Sequence, residues 1–295
     1  MYELIQAGEK TYYIDCPAKI GIYRVSGDEV CLIDSGNDKN AGKKALRILE
    51  EQGWKLKMIL NTHFHADHIG GNEFLQQRTG CIIYGWGSDR VFTECPVLEP
   101  AFLFGAYPPE ELRHKALMAK ASQVIELKEE NLPEGLSLIP LPRHSDGQFG
   151  LRTDDDVIFL ADSLVGENIL KKYRISHIFD VRRYLETLKK VKDLEAKLFV
   201  PAHGTVCSDI RPLAEANIQN TLSVMEDILS LCAEKISFDD CMARIFEKYG
   251  LPFDMVQYSL NSCTVKSMLS YLHEEGKVEI VTEDNHLYWR SYQEL

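Results

Sequence analysis

Thr62-His63-Phe64-His65-Ala66-Asp67-His68-Ile69-Gly70-Gly71 decides the reading of this chain. Four side chains able to bind a metal, His63, His65, Asp67 and His68, stand within six residues, directly after the short apolar run 58–60. In an extended segment His63 and His65 project to the same side. Asp67 and His68 then fall where the chain turns toward an expected helix over 69–78. Imidazole and carboxylate together suit a borderline divalent ion such as Zn²⁺. Gly70-Gly71 lets the start of the helix pack closely behind the loop.

Working outward, three more candidate ligands each follow an apolar, strand-like run. His144 follows 139–143, Asp162 follows 157–161 and His203 follows 198–202. Side chains at the same ends of several strands converge in space although they are distant in sequence. The rest of the first two thirds fits such a scaffold. Strand signals at 20–25 and 30–33 flank Ser26-Gly27-Asp28, a hairpin turn. Residues 41–51 carry Ala45, Leu46, Ile48 and Leu49 at helical spacing. A strand at 81–84 follows, then an irregular excursion over 95–109 rich in Pro and aromatics, and a helix near 110–119. Further strands are expected at 137–141, 149–152 and 157–160, with helices over 181–194 and 213–231.

From about residue 235 the pattern changes. Helices around 238–249, 255–260 and 264–275 precede short strands at 277–281 and 286–290, which resembles a winged-helix unit. The expected organisation is a catalytic domain over 1–233 and a winged-helix-like domain over 234–295.

The chain has 295 residues, 45 % apolar and 26 % charged, which is ordinary globular composition. Its net charge of −12 argues against bulk attraction to nucleic acid or anionic membrane. Residues 234–295 hold six Lys/Arg and eleven Asp/Glu, and 264–275, the candidate recognition helix, has a single Lys. A groove-reading helix would present several basic residues, so nucleic acid is not the expected partner. The eight cysteines form no Cys-x-x-Cys pair and read as reduced core residues. No run approaches the roughly 18 apolar residues of a membrane span. With no basic segment in Met1-Tyr2-Glu3-Leu4, the expected location is cytoplasmic.

The run His63-x-His65-x-Asp67-His68, the isolated His144, Leu160-Ala161-Asp162-Ser163 and Pro201-Ala202-His203-Gly204 resemble the metallo-β-lactamase superfamily over roughly 15–230. Leu32-Ile33-Asp34-Ser35-Gly36 resembles its early strand-end aspartate. The resemblance implies an α/β fold, a four-layer αββα sandwich with the site at one edge of its two sheets. It implies two divalent metal ions, zinc by default with iron or manganese as alternatives. His63, His65 and His144 would hold one, Asp67, His68 and His203 the other, and Asp162 would bridge. Asp34 would support the ligands from behind. Two departures stand out: Arg143 replaces a frequent Gly, and no Cys stands at position 162 as in the thiolate-using lactamases.

The implied activity resembles that of glyoxalase II. A metal-bridging hydroxide would attack a small ester, thioester or lactone, with Asp67 orienting it and accepting its proton. Alternatives are a phosphodiesterase or ribonuclease, a single-iron persulfide dioxygenase using His63, His144 and Asp162, and a non-enzymatic nucleic-acid-binding regulator. Arg143, Lys171, Tyr173 and His177 are candidate contacts to a small-molecule substrate. The aromatic stretch 102–107 could be a lid, core packing or a homodimer contact. Trp86 could line the site or be structural.

Overall fold

The computed structural model describes residues 2–142 and 144–292. Arg143 therefore lies outside the described residues. In chain order the first half contains β1 (Glu3–Gln6), β2 (Thr11–Asp15), β3 (Ile20–Ser26), β4 (Glu29–Ile33), α1 (Lys39–Glu51), β5 (Lys55–Leu60), α2 (Ala66–Ile69), α3 (Asn72–Thr79), β6 (Ile82–Gly85), α4 (Asp89–Glu94), α5 (Leu98–Phe104) and β7 (Ile125–Glu126). Then come β8 (Leu136–Pro140), β9 (Phe149–Thr153), β10 (Val157–Val165), α6 (Glu167–Tyr173), α7 (Val181–Lys192), β11 (Leu198–His203) and α8 (Arg211–Leu231). The chain ends with β12 (Ile236–Ser237), α9 (Phe238–Tyr249), α10 (Met255–Glu274), β13 (Val278–Glu283) and β14 (His286–Ser291).

Strands β1 to β7 form one sheet in sequence order, and β11-β10-β9-β8 form the second. The period-two alternation of each strand sorts its side chains between layers. In β4, Cys31 and Ile33 join Tyr23, Met58, Leu60, Phe149 and Phe159 in the core between the sheets. Val30 and Leu32 point the other way, against Ala45, Ile48 and Leu49 of α1. In β10, Val157 and Phe159 face the first sheet, while Ile158 and Leu160 pack under Leu188 of α7 and Ile218 of α8. Helix, sheet, sheet and helix stack in the expected αββα order.

Helix α1 starts at the N-cap Asp38, whose carboxylate accepts from the Asn40 and Ala41 amides. Strands β4, β5 and β6 run parallel, as do β10 and β11. Their C-terminal ends therefore gather at one edge of the sandwich, where the candidate ligands lie.

Several expected elements differ. The single helix over 69–78 is two helices, α2 and α3, separated at Gly70-Gly71. The excursion over 95–109 contains α5, and the helix over 110–119 is reduced to one 3-10 turn at Glu110–Leu112. There Leu112 and Leu117, five residues apart, are held by Leu103 and by Val256 and Leu260 of α10 rather than by a helical face of their own. The two short helices after residue 254 are one helix, α10. No Gly or Pro interrupts 255–274, and its polar mid-section (Asn261, Ser262, Thr264) is buried against other elements instead of marking a break. Strand β10 runs past Asp162 to Val165.

The core cluster under α7 and α8 continues through Cys232 and Ile236 into Met242, Ile245, Leu269 and Val278. The helical and hairpin region after residue 235 thus shares a core with the second sheet's helical layer. The cysteines at 16, 31, 81, 232 and 241 are buried, and none of the eight is in a disulfide. No helix among the described residues is long and apolar enough to cross a membrane.

Candidate metal centre

The loop leaving β5 carries His63, His65, Asp67 and His68, and it is clamped from behind by Asp34 at the end of β4. Asp34 sits at φ 64°, a left-handed conformation that Asp tolerates better than most residues. That conformation aims its carboxylate at the neighbouring loop. It accepts from the Thr62 amide at 2.8 Å, from Thr62 Oγ1 at 2.7 Å and from His68 Nδ1 at 2.8 Å. Behind it the backbones touch. A Cβ on Gly70 would stand 2.4 Å from the Asn37 carbonyl carbon, and one on Gly71 2.4 Å from the Ser35 oxygen.

His144, Asp162 and His203 approach from the second sheet. Ala161 adopts φ 48°, and the β10–β11 register shifts on both sides of it. This bulge turns Asp162 into the site although the strand continues. Asp162 is the hub. Its Oδ2 lies 3.5 Å from His144 Nε2, 3.4 Å from His203 Nε2 and 4.0 Å from His63 Nε2, and its Oδ1 lies 3.3 Å from His68 Nε2. Asp67 Oδ2 is 3.0 Å from His203 Nε2.

Three triads have ligand atoms mutually within 4.8 Å: His63/His65/His144, His63/His68/Asp162 and Asp67/His68/His203. All seven candidate ligands are thereby brought together. Three of the histidines have their outer nitrogens committed elsewhere. His144 Nδ1 donates to the His177 carbonyl, His203 Nδ1 to the Pro17 carbonyl and His68 Nδ1 to Asp34. Since these acceptors cannot donate, each ring's proton sits on Nδ1 and its Nε2 lone pair faces the centre when the ring is neutral.

The inward atoms fit a cation. His63 Nε2, His68 Nε2 and Asp162 Oδ1 are buried without a well-formed hydrogen bond among the described residues. Buried polar atoms left this way are costly unless something binds them. The local field is negative. Burial alone would lower the His203 pKa, but Asp162 and Asp67 override it and raise it to about 9. Burial is likewise overcome at His68, raised by Asp162, Asp67 and Asp34. Asp67 and Asp162 are held below the usual carboxylate range, because the surrounding imidazoles outweigh the effect of burial. His63, His65 and His144 are pushed down, first by burial. They are neutral imidazoles, the form that binds metal.

Of the candidate substrate contacts, His177 and Tyr173 reach the site. The His177 ring centroid is 5.2 Å from that of His65 and 5.4 Å from that of His144. Its pKa is lowered to about 3 by burial and by His144. Tyr173 lines a cavity of about 220 Å³ with His144, Asp162, His177 and, from α10, Gln257 and Asn261. Lys171 is pinned to Glu167 at 2.9 Å, on the rim of a separate cavity of about 700 Å³ beside His203. Trp86 packs against Phe149 in the inter-sheet core.

Of the other residues at the site, Phe92 and Phe179 carried no local sequence signal, whereas Phe64 lies within the 62–71 run and Phe102 within the aromatic stretch 102–107. Phe64, Phe92, Phe102 and Phe179 border a cavity of about 320 Å³ that also touches His144 and His177. Phe64 stacks on Phe92 at 4.1 Å. Within the stretch 102–107, Phe102, Phe104 and Tyr107 are all exposed, and of the three Phe102 lines this cavity. Asp89 accepts from Ser145 Oγ at 2.6 Å and from the Gly147 amide at 2.8 Å, which fixes the loop carrying His144.

The family model described as the metallo-beta-lactamase superfamily matches residues 14–203. This chain is a member of the metallo-β-lactamase superfamily. Among solved members, a beta-lactamase domain protein from Burkholderia ambifaria superposes with a TM-score of 0.79, covering 98 % of this chain and 94 % of that one at 16 % identity. A metallo-beta-lactamase family protein from Thermus thermophilus gives 0.71 at 17 % identity, covering 99 % and 98 %. At such identity the likeness is one of fold, and it extends through the region after residue 235. Among curated relatives, a hydroxyacylglutathione hydrolase from Methylococcus capsulatus is 31 % identical over 120 residues, 40 % of this chain and 38 % of that protein. An atrochrysone carboxyl ACP thioesterase from Aspergillus fumigatus is 24 % identical over 197 residues, 65 % of this chain and 53 % of that protein. The matches thus span less than two thirds of these relatives' length.

Proposed function

We propose that this superfamily member is a dinuclear metal-dependent hydrolase, zinc by default, acting on small acyl thioesters or esters. The observation that carries the reading is the convergence of seven ligand-type side chains, with His63 Nε2, His68 Nε2 and Asp162 Oδ1 buried at its centre without a well-formed hydrogen bond among the described residues. His63, His65 and His144 would hold one ion, Asp67, His68 and His203 the other, with Asp162 shared. Two divalent ions supply Lewis acidity and a water ionised near neutral pH.

The protein supplies the rest. Asp67 is held ionised by its imidazole neighbours, so its carboxylate can accept a hydrogen bond from the attacking water and orient it. For Asp67 also to receive the proton, its pKa must rise once those neighbours are engaged elsewhere. The phenylalanine-lined cavity beside His144 is shaped for an apolar acyl group. His177 and Tyr173 border the space where the substrate carbonyl would sit. Two of the relatives are named for related reactions, one as a hydroxyacylglutathione hydrolase and one as a thioesterase.

The test is elemental mass spectrometry on protein purified without added metal, together with hydrolysis of an acetyl-to-octanoyl thioester series before and after chelation. Two zinc ions per chain, turnover that stops on chelation, and at least a ~10²-fold loss in Asp67→Asn with the melting temperature kept are expected. One iron per chain and no hydrolysis of any ester, thioester or lactone would overturn the reading.

A further inference from the structure

The loop between α6 and α7 contains the peptide group joining His177 to Ile178. Its carbonyl accepts the His144 Nδ1 proton at 3.0 Å. Its N–H, on the other edge of the same planar unit, donates to Thr264 Oγ1 on α10 at 3.0 Å. The Thr264 hydroxyl in turn donates to the Ser176 carbonyl at 3.0 Å. One hydroxyl, with one proton and one lone pair in use, thus grips both peptide groups flanking His177. Three residues further along α10, Ser267 Oγ donates to the Phe179 carbonyl at 3.0 Å. Thr264 is fully buried, so water cannot replace these bonds. Gln257, Leu260 and Asn261, three to seven residues earlier in the helix, border the cavity that His144 and Asp162 share.

We propose that Thr264 is a positioning residue for the metal site: it fixes the 177–178 peptide, and that peptide fixes the tautomer and orientation of His144. The α10 helix, about 120 residues beyond His144 in sequence, is on this account a working part of the centre. Hydrogen bonds linked through a peptide polarise one another, so the Thr264 end strengthens the His144 end. Partners of this kind behind metal-binding histidines are typically worth 10–100-fold in metal affinity. The proposal rests on His144 being a metal ligand, as in the function proposed above.

Two variants separate the hydroxyl from its shape. Thr264→Val keeps the volume and loses both hydrogen bonds, whereas Thr264→Ser keeps the hydroxyl. Zn²⁺ affinity by chelator competition and the visible spectrum of the Co²⁺-loaded protein, which reports ligand geometry, are read alongside melting. Thr264→Val is expected to bind one of its two ions about 10–100-fold more weakly with an altered Co²⁺ spectrum, and Thr264→Ser to restore both. Unchanged affinity and spectrum in Thr264→Val, or a Ser variant as impaired as the Val variant, would overturn the proposal. If the wild-type chain binds no divalent metal, the functional reading falls first, which distinguishes the two failures. Should Thr264→Val fail to fold, hydrogen exchange at the Ile178 amide of the wild-type protein decides. The proposal requires protection that rises when Zn²⁺ binds, and fast exchange in both states overturns it.

Discussion

Asp89 shows how a single buried carboxyl can be tied to a site it never enters. Burial pushes its pKa up to about 6, against the lowering effect of the Ser145 and Gly147 hydrogen bonds. A raised folded-state pKa favours folding while the carboxyl is protonated. That contribution is complete below the unfolded value near 4 and is lost as pH rises through about 6. At neutral pH the fold therefore carries a buried anion at a cost on the order of 3 kcal/mol. Asp89→Asn removes the titration. Relative to wild type, the variant's melting temperature should rise between pH 4 and 7 and level off above. An offset of constant size across that range would show that Asp89 does not titrate there. None of this is legible locally, because Ser145 and Gly147 lie more than fifty residues away in sequence and meet Asp89 only in the fold.

At the scale of elements, the His63–His68 loop owes its shape to the backbone contact behind it. Gly70 and Gly71 were legible as a close approach, and the structure supplies the partner: the 34–38 turn following β4. A methyl group on Gly70 meets backbone atoms of Asn37 and Asp38 rather than a side chain that could swing aside. Gly70→Ala should therefore destabilise by about 1–3 kcal/mol, as overpacking does, and weaken metal binding by stretching the Asp34–His68 contact. Gly53, at φ 71° in open space, is the control. Gly53→Ala has only backbone strain to meet, about 1–2 kcal/mol, and should leave metal affinity untouched. Melting and chelator competition on the two variants separate these effects. Equal metal affinity in both variants would show that the close packing behind the loop is irrelevant to the site.

For the whole molecule, the expected division near residue 234 meets a continuous core. Ile228 and Met225 of α8 belong to the same apolar cluster as Met242, Ile245 and Leu269, and α10 also covers Leu103 and Leu112 near the site. Ending the chain at residue 233 would expose the inner face of α8 and remove Thr264 and Ser267 from the 176–179 loop. The shortened chain should show no cooperative denaturation and should aggregate. A sharp transition with wild-type metal affinity would instead establish two independent units. The same continuity explains why two expected short helices are one. Asn261, Ser262 and Thr264 look like an interruption in sequence, yet Asn261 lines the cavity, Thr264 bonds the neighbouring loop and Ser262 Oγ donates back to the Ser259 carbonyl of its own helix.

What the sequence alone determined is what depends on neighbours along the chain. The alternation of Cys31 and Ile33 against Val30 and Leu32 is a property of strand geometry. The grouping of His63, His65, Asp67 and His68 is a property of ligand chemistry at short spacing. Asp34, His144, Asp162 and His203 were readable because each closes an apolar run whose end a layered fold brings to one edge. Tertiary structure decided everything that depends on which distant surfaces meet. It set His177 beside His65 and His144, gathered Phe64, Phe92, Phe102 and Phe179 into one cavity, and placed the Thr264 hydroxyl on the peptide behind His144. A hydroxyl, a phenyl ring or a peptide carbonyl has no spacing rule that announces its partner. Burial and packing across the fold select it, and they exist only once the layers have closed.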